Sequence, residues 1–426
     1  MRSGPASTTR PGRLRRAPAM LGPLSQAITS VSNVVMMLAA ASALTPALFG
    51  VFALVQSAAL VVEGLIRAAF GETMAVAGAT QSRARRHGIV TVALSLALVA
   101  AAVGVLVAGL FLNGRIAGLT IAVAVGIVPR VAADCARLVA FAVHTPATAV
   151  AIDAVWFGVQ VAFMAVALAL GMARPEAAVW AWAVGAGVAA LVGARLLHLT
   201  PVIGAGRDGW AWLAEHRTLA KAYAGEFLMV SASTQAVLWP VALITTTETV
   251  ATLRGAQLIF GPVATLVLGL RNALTPQATS LLGRGDETGF ARLAIGASGG
   301  AGLVALVNVV VFLVLPDAYG RAILGQSWPL VAAIVVPYGL SRVLFSGYIG
   351  PLIVLRVRTM TAAGIRLRTV ASLLGMGAML GGVALGGAQT AAWLLLFAAA
   401  ITLVLYSAAA VPTFRSAGQL LPEGVH

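Results

Sequence analysis

The sequence predicts an all-α membrane protein with about twelve transmembrane helices, arranged as two pseudo-symmetric six-helix bundles. Three observations lead there. Of the 426 residues, 60% are hydrophobic and only 10% charged, with a mean hydropathy of +0.96; a water-soluble core of that size would leave too little polar surface to cover it. The apolar residues fall in runs of twenty or more, each long enough to cross hydrocarbon about 30 Å thick as a helix. One of these runs recurs six runs later. A transmembrane β-barrel would instead show segments of about ten residues with strict alternation, and none occur.

The chain opens on a tail, residues 1–20, that carries Arg2, Arg10, Arg13, Arg15 and Arg16. Its small-residue "APA" precedes the first apolar run instead of following it, so the tail reads as uncleaved rather than as a signal peptide. A first bundle, 21–199, holds spans at 21–43, 47–70, 88–112, 116–142, 147–170 and 177–199. A segment at 200–221 mixes Trp210, Trp212, Leu213 and Leu219 with charges, the pattern of an amphipathic linker lying at the membrane interface. A second bundle, 222–411, holds spans at 222–246, 250–275, 291–315, 328–355, 363–386 and 389–411, and a tail follows at 412–426.

Basic residues orient these spans. Eighteen lie in the two tails and the even-numbered loops, among them the "SRARR" and "RVR" clusters, whereas the odd-numbered loops hold only Arg115, Arg174 and Arg321. The positive-inside rule then places both termini in the cytoplasm. The same rule accounts for the net charge of +15 without a nucleic-acid partner, since there is no basic, aromatic-interleaved soluble domain to hold one.

The repeat matches "LFGVFALVQSAALVVEGLIRA" (48–68) to "LRGAQLIFGPVATLVLGLRNA" (253–273), with seven identities that include Gly50 with Gly255 and Gly64 with Gly269. An offset of six spans keeps both copies in the same orientation. The halves are then related by an axis along the membrane normal, as in transporters built from parallel repeats.

Seven arginines lie inside spans: Arg67, Arg130, Arg137, Arg195, Arg254, Arg271 and Arg342. A central arginine facing lipid costs about 3 kcal/mol, so each needs a partner, a wet cavity or a route to the interface. Arg67, Arg195 and Arg271 sit near basic span ends and can snorkel. Arg130, Asp134 and Arg137 share one helical stripe, and Glu63 with Arg67 forms another i,i+4 pair, so both groups can neutralise themselves. Arg342 has no acidic neighbour in sequence and is the first candidate for an anionic ligand. With Arg130, Arg137, Arg67 and Arg271 it makes up a candidate arginine-lined central cavity, where guanidinium forks suit a pyrophosphate. Asp134, Asp153 and Glu63 are candidates for ion pairing, or for coupling to H⁺ or Na⁺; no other cofactor is expected.

Enzyme chemistry finds no foothold. The five histidines fall in loops or at span ends, no HExxH or GxSxG occurs, and "GASGGAG" at 296–302 lies within an apolar span, where close helix packing explains it. The lone Cys135 allows no intramolecular disulfide and no zinc-ligand spacing. The outside loops are too short for a glycan polymerase or ligase.

Several segments resemble a known family. "QAITSVSNVVMMLAAASALTPALFGVFALVQSAALVVEGLIRAAFGE" is similar to the opening helices of polysaccharide biosynthesis proteins of the O-antigen flippase type, in the multidrug/oligosaccharidyl-lipid/polysaccharide (MOP) exporter superfamily to which MATE proteins belong. "PRVAADCARLVAFAVHTPATAVAIDAVWFGVQ" resembles the fourth and fifth helices of actinobacterial members, through Pro129, Asp134, Arg137, Asp153 and Trp156, although Leu138 stands where that pattern has an aromatic. The resemblance implies a monomeric flippase that moves a polyprenyl-pyrophosphate-linked oligosaccharide, with undecaprenyl as its lipid, outward across the membrane by alternating access. The second expectation is a multidrug or small-solute exporter of the same architecture.

Overall fold

The computed structural model describes residues 16–77, 81–172, 174–199, 204–358 and 361–418. Most of the basic N-terminal tail and the end of the C-terminal tail lie outside them. Ten helices among the described residues are long and apolar enough to cross a membrane, and the chain is a multi-pass helical membrane protein. The first six, Leu21–Ala43, Pro46–Ala77, Ala84–Phe111, Gly114–Ala142, Pro146–Ala169 and Pro175–Leu196, match the first six predicted spans. Thr247–Gly283, Glu287–Val314 and Val335–Val357 match the eighth, ninth and tenth, and Arg366–Pro412 covers the last two.

The difference from twelve has two causes. The eleventh and twelfth spans run as one helical stretch, Thr361–Gly418, broken at Gly386 and Gly387, where Gly387 takes a φ of +73° that glycine adopts without steric cost. The seventh span, predicted as one helix over 222–246, is interrupted. It consists of Arg217–Phe227, a π-helical stretch Leu228–Ala232, a single turn Ser233–Ala236, and Leu238–Ile244. Pro240 supplies no N–H to the helix that restarts beside it.

In the first bundle the fourth span packs along the third and the sixth, and the fifth packs along the sixth and the first. Trp156 and Trp182 anchor this core: they meet edge to face at 6.4 Å, and Trp156 Nε1 donates to the Trp182 carbonyl at 3.0 Å. In the second bundle the ninth and tenth spans pack together, and the tenth also packs against the Thr361–Gly418 stretch. Phe260 and Tyr338 are in contact at 5.8 Å there, and Tyr348 and Tyr406 at 5.0 Å. The linker helix Gly206–Glu215 docks on the third span. Trp212 is buried and stacks on His216 at 4.7 Å, Trp210 is exposed, and Glu215 pairs with Arg85 at 3.2 Å. The segment is thus fastened to the first bundle.

The bundles meet at the arginine-poor end, and the seventh span also packs on the second toward the basic end, where a Cβ on Gly64 would sit 2.1 Å from the Phe227 ring. The two copies of the repeat, Pro46–Ile66 and Thr247–Gly283, pack against each other. Gly50 lies so close to the start of Thr247–Gly283 that a Cβ on it would sit 1.8 Å from the Thr247 carbonyl oxygen. The end of the first span also packs against Asp317–Leu324. There Gly325, at φ +57°, leaves only 2.6 Å between a would-be Cβ and the Ser42 carbonyl oxygen. Both closures depend on glycine.

Gly50→Leu should destabilise this closed arrangement by about 1–3 kcal/mol, the usual cost of overpacking, which shifts the population about fivefold to a hundredfold. Spin labels on Ser42→Cys and Tyr319→Cys report it as a new long-distance population. An unchanged distance distribution would show that the bundles do not close on Gly50.

Candidate functional site

The fourth span places Arg130, Asp134 and Arg137 on one stripe, and the structure turns that stripe inward. All three are buried. Arg130 Nη1 donates to Asp134 Oδ1 at 2.9 Å and Arg137 Nη2 to the same oxygen at 2.8 Å. Arg137 reaches on to Thr29 Oγ1 at 3.3 Å and lies 4.0 Å from Asp153 on the fifth span, whose carboxylate accepts from Ser25. The guanidinium of Arg130 sits 4.3 Å over the Trp156 ring, a cation–π contact strengthened where water is excluded. Two arginines and two carboxylates therefore close a compact network among the first, fourth and fifth spans. Gln160 extends it by donating to the Ser32 carbonyl at 2.9 Å.

Glu63 and Arg67 do not pair. The helix widens into a π-helical stretch at Arg67–Glu72, which brings residues five apart onto one face. Arg67 accordingly meets Glu72, at 3.7 Å. Glu63 is buried, and its Oε1 has no hydrogen-bond partner. A cavity of about 180 Å³ opens beside it. Arg67, Arg130 and Arg137 line this cavity with Glu63 and Asp134, and Phe227 and Gln235 of the interrupted seventh span close it.

A second cavity, of about 290 Å³, lies in the other bundle. Arg342, Arg368, Tyr348 and Tyr406 supply its polar surface, and Met376, Met379 and Leu395 its apolar depth. Among the described residues lining it there is no carboxylate. Arg342 lies between aromatic faces, 4.7 Å from the Tyr338 ring and 5.6 Å from Phe345, and its Nε makes no hydrogen bond. Arg271 lies within electrostatic range of Tyr348, Arg368, Arg356 and Glu226. Thr234 and Val237 of the seventh span form the near wall, so that span stands between the two cavities.

The predicted residues thus divide. Arg130, Arg137, Asp134 and Asp153 form one network, with Glu63 and Arg67 beside it. Arg342 and Arg271 belong to the other bundle. The single arginine-lined chamber expected from the sequence is two cavities, because the interrupted seventh span fills the space between them. Arg254, buried without a carboxylate, donates to Gln235 at 3.2 Å and Gln257 at 3.1 Å and holds that span in place. Sequence reasoning missed Arg368, which reads as a loop cation, and the uncharged Ser25, Thr29, Gln160 and Gln235, which carry no signal within apolar runs. The tyrosines Tyr348 and Tyr406 were missed for the same reason.

No protein-family model and no curated protein sequence matches this chain. Solved structures do. An inward-facing multidrug resistance MATE family transporter of the MOP superfamily aligns over 94% of this chain and 99% of its own, with a TM-score of 0.68 at 11% identity. The lipid II flippase MurJ, in an inward closed conformation, aligns over 94% and 90%, with a TM-score of 0.66 at 9% identity. An outward-facing MATE transporter aligns over 94% and 95%, with a TM-score of only 0.57 at 12% identity. The chain has the MOP fold.

Removing the carboxylate from a buried ion network strands its cations. Asp134→Asn should lower stability by about 3–5 kcal/mol, whereas Arg342→Ala, which breaks no ion pair among the described residues, should cost about 1 kcal/mol or less. Thermal unfolding of the two variants in the same detergent distinguishes them; equal losses would remove Asp134 from the centre of the network.

Proposed function

We propose that this protein is a MOP-type flippase that carries a polyprenyl-pyrophosphate-linked oligosaccharide from the cytoplasmic to the outer face of a bacterial inner membrane. One observation carries the reading: the second-bundle cavity presents Arg342 and Arg368 with no carboxylate among its described lining residues. Guanidinium groups without acidic partners in a confined site attract a diphosphate and repel cations. Tyr348 and Tyr406 add hydroxyl donors, and Arg271 adds to the positive field.

In this reading the pyrophosphate headgroup enters from the basic, cytoplasmic end while the bundles are closed at the other. The lipid tail stays in the bilayer. Rocking of the bundles then opens the Gly50 and Gly325 contacts and presents the headgroup outside. The first-bundle network of Arg130, Asp134, Arg137 and Asp153 serves as a rigid pivot, and Glu63 exchanges the coupling ion, H⁺ or Na⁺. The protein works as a monomer, with both termini cytoplasmic. A multidrug or small-solute exporter is the second reading, and one observation favours it: the uncommitted Glu63 oxygen offers a cationic drug an acceptor in the first cavity.

In proteoliposomes, Arg342→Ala combined with Arg368→Ala should slow flipping of a fluorescent polyprenyl-pyrophosphate glycan at least tenfold, and Glu63→Gln should leave binding of that lipid unchanged. Flipping at the unaltered rate in the double variant, or export of cationic drugs that depends on Glu63, would overturn the assignment.

A further inference from the structure

The two cavities differ in chemistry as well as in charge. Amide side chains gather in the first, where Gln26, Asn33 and Gln235 line the wall with Glu63 and Asp134. The second holds no amide and no carboxylate side chain among its described lining residues. Its polar groups are Arg342, Arg368, Tyr348, Tyr406 and the hydroxyls of Thr234, Ser372 and Thr402. Thr402 is already spent on its own helix, where it donates to the Ala398 carbonyl at 2.8 Å. Guanidinium groups donate hydrogen bonds and accept none. A sugar hydroxyl has a proton to give, so a ring placed here would leave most of its hydroxyl protons without acceptors. A phosphate, which only accepts, escapes that cost.

The remaining lining is apolar. Val237, Met379 and Leu395 are buried, and Met376 adds an adaptable thioether chain. Gly375 lines the cavity too, and a Cβ there would meet nothing within 4 Å. Phe345, Tyr348 and Tyr406 follow one another as an aromatic wall, at ring separations of 5.1 and 5.0 Å. Arg342 rests against the same Phe345, so the cationic and apolar surfaces are continuous. A volume of about 290 Å³ stands at the lower edge of small-ligand sites. It admits a diphosphate with one short group attached, and no glycan chain.

We infer that the second cavity binds the junction between carrier lipid and diphosphate: the pyrophosphate lies on Arg342 and Arg368, and the first isoprene units, rather than the sugar, fill the apolar depth at Met376, Met379 and Leu395. This rests on the reading of that cavity as a pyrophosphate site. The rest of the tail leaves past Phe345, which is exposed, into the bilayer, and the glycan stays outside the cavity. Recognition then stops at the diphosphate. Carriers that bear different glycans are equivalent ligands, and a prenyl pyrophosphate with no sugar is another.

Calorimetric titration of the full chain in lipid nanodiscs tests this, with empty nanodiscs as the blank and three soluble probes. Farnesyl pyrophosphate carries isoprene units and no sugar, UDP-N-acetylglucosamine carries a sugar and no isoprene, and inorganic pyrophosphate carries neither. Farnesyl pyrophosphate should bind at least tenfold more tightly than either of the others. Gly375→Leu, which fills open space and suits a helix better than glycine does, should erase that advantage. Arg342→Ala combined with Arg368→Ala should abolish binding of all three. If no probe binds the unaltered protein, or if binding survives the double arginine variant, the pyrophosphate reading falls and the inference falls with it. If inorganic pyrophosphate or the sugar nucleotide binds as tightly as farnesyl pyrophosphate, or if the preference survives Gly375→Leu, the inference alone is overturned and the pyrophosphate site stands.

Discussion

A guanidinium sunk among apolar helices must find a carboxylate, an aromatic face or water, and this demand organises both bundles. In the first bundle the carboxylate of Asp134 meets it twice over, with Asp153 and Trp156 completing the surround. Three separate spans are thereby tied at one depth. In the second bundle Arg342 rests against Tyr338 and Phe345 and looks into an open cavity. Aromatic faces hold an arginine without neutralising it, so its charge stays available to a ligand. The same residue type is thus used once to lock helices together and once to keep a positive field exposed.

The closed end depends on a different constraint. Backbone approaches of the kind seen at Gly50 and Gly325 leave no room for any side chain. Small residues allow helices to meet tightly in lipid, where no hydrophobic force drives them together. Such contacts are close but individually weak, which suits the parting and re-forming that the proposed transport cycle requires. The buried ion network is the opposite case: separating its members would strand charge in hydrocarbon at a cost of several kcal/mol. The costlier contacts to break therefore lie within the first bundle, and the weaker ones between the two.

Most of the fold was legible in the sequence because membrane helices announce themselves by length and hydropathy, and nine of the spans appear nearly where the runs of apolar residues put them. What periodicity could not show was where a run bends. The turn Ser233–Ala236 and the break at Gly387 depend on local backbone chemistry that hydropathy does not register. At the site, the stripe of Arg130, Asp134 and Arg137 was readable because i,i+3 and i,i+4 spacing survives in any regular helix. The Glu63–Arg67 pairing failed although that spacing stays α-helical, because the π-helical stretch that begins at Arg67 brings Glu72 within reach of its guanidinium. The separation of Arg342 from Arg130 into different cavities is a tertiary fact. No one-dimensional pattern encodes which side of the seventh span each arginine will face.

That span has a property that belongs to neither cavity alone. Gln235 lines one and Thr234 with Val237 the other, so the turn Ser233–Ala236 and the residue after it are a party wall between two cavities. Thermodynamic linkage makes the arrangement symmetric. Whatever factor an occupant beside Glu63 imposes on affinity beside Arg342, an occupant beside Arg342 imposes in return, and two ligands on opposite faces can exchange free energy without ever touching.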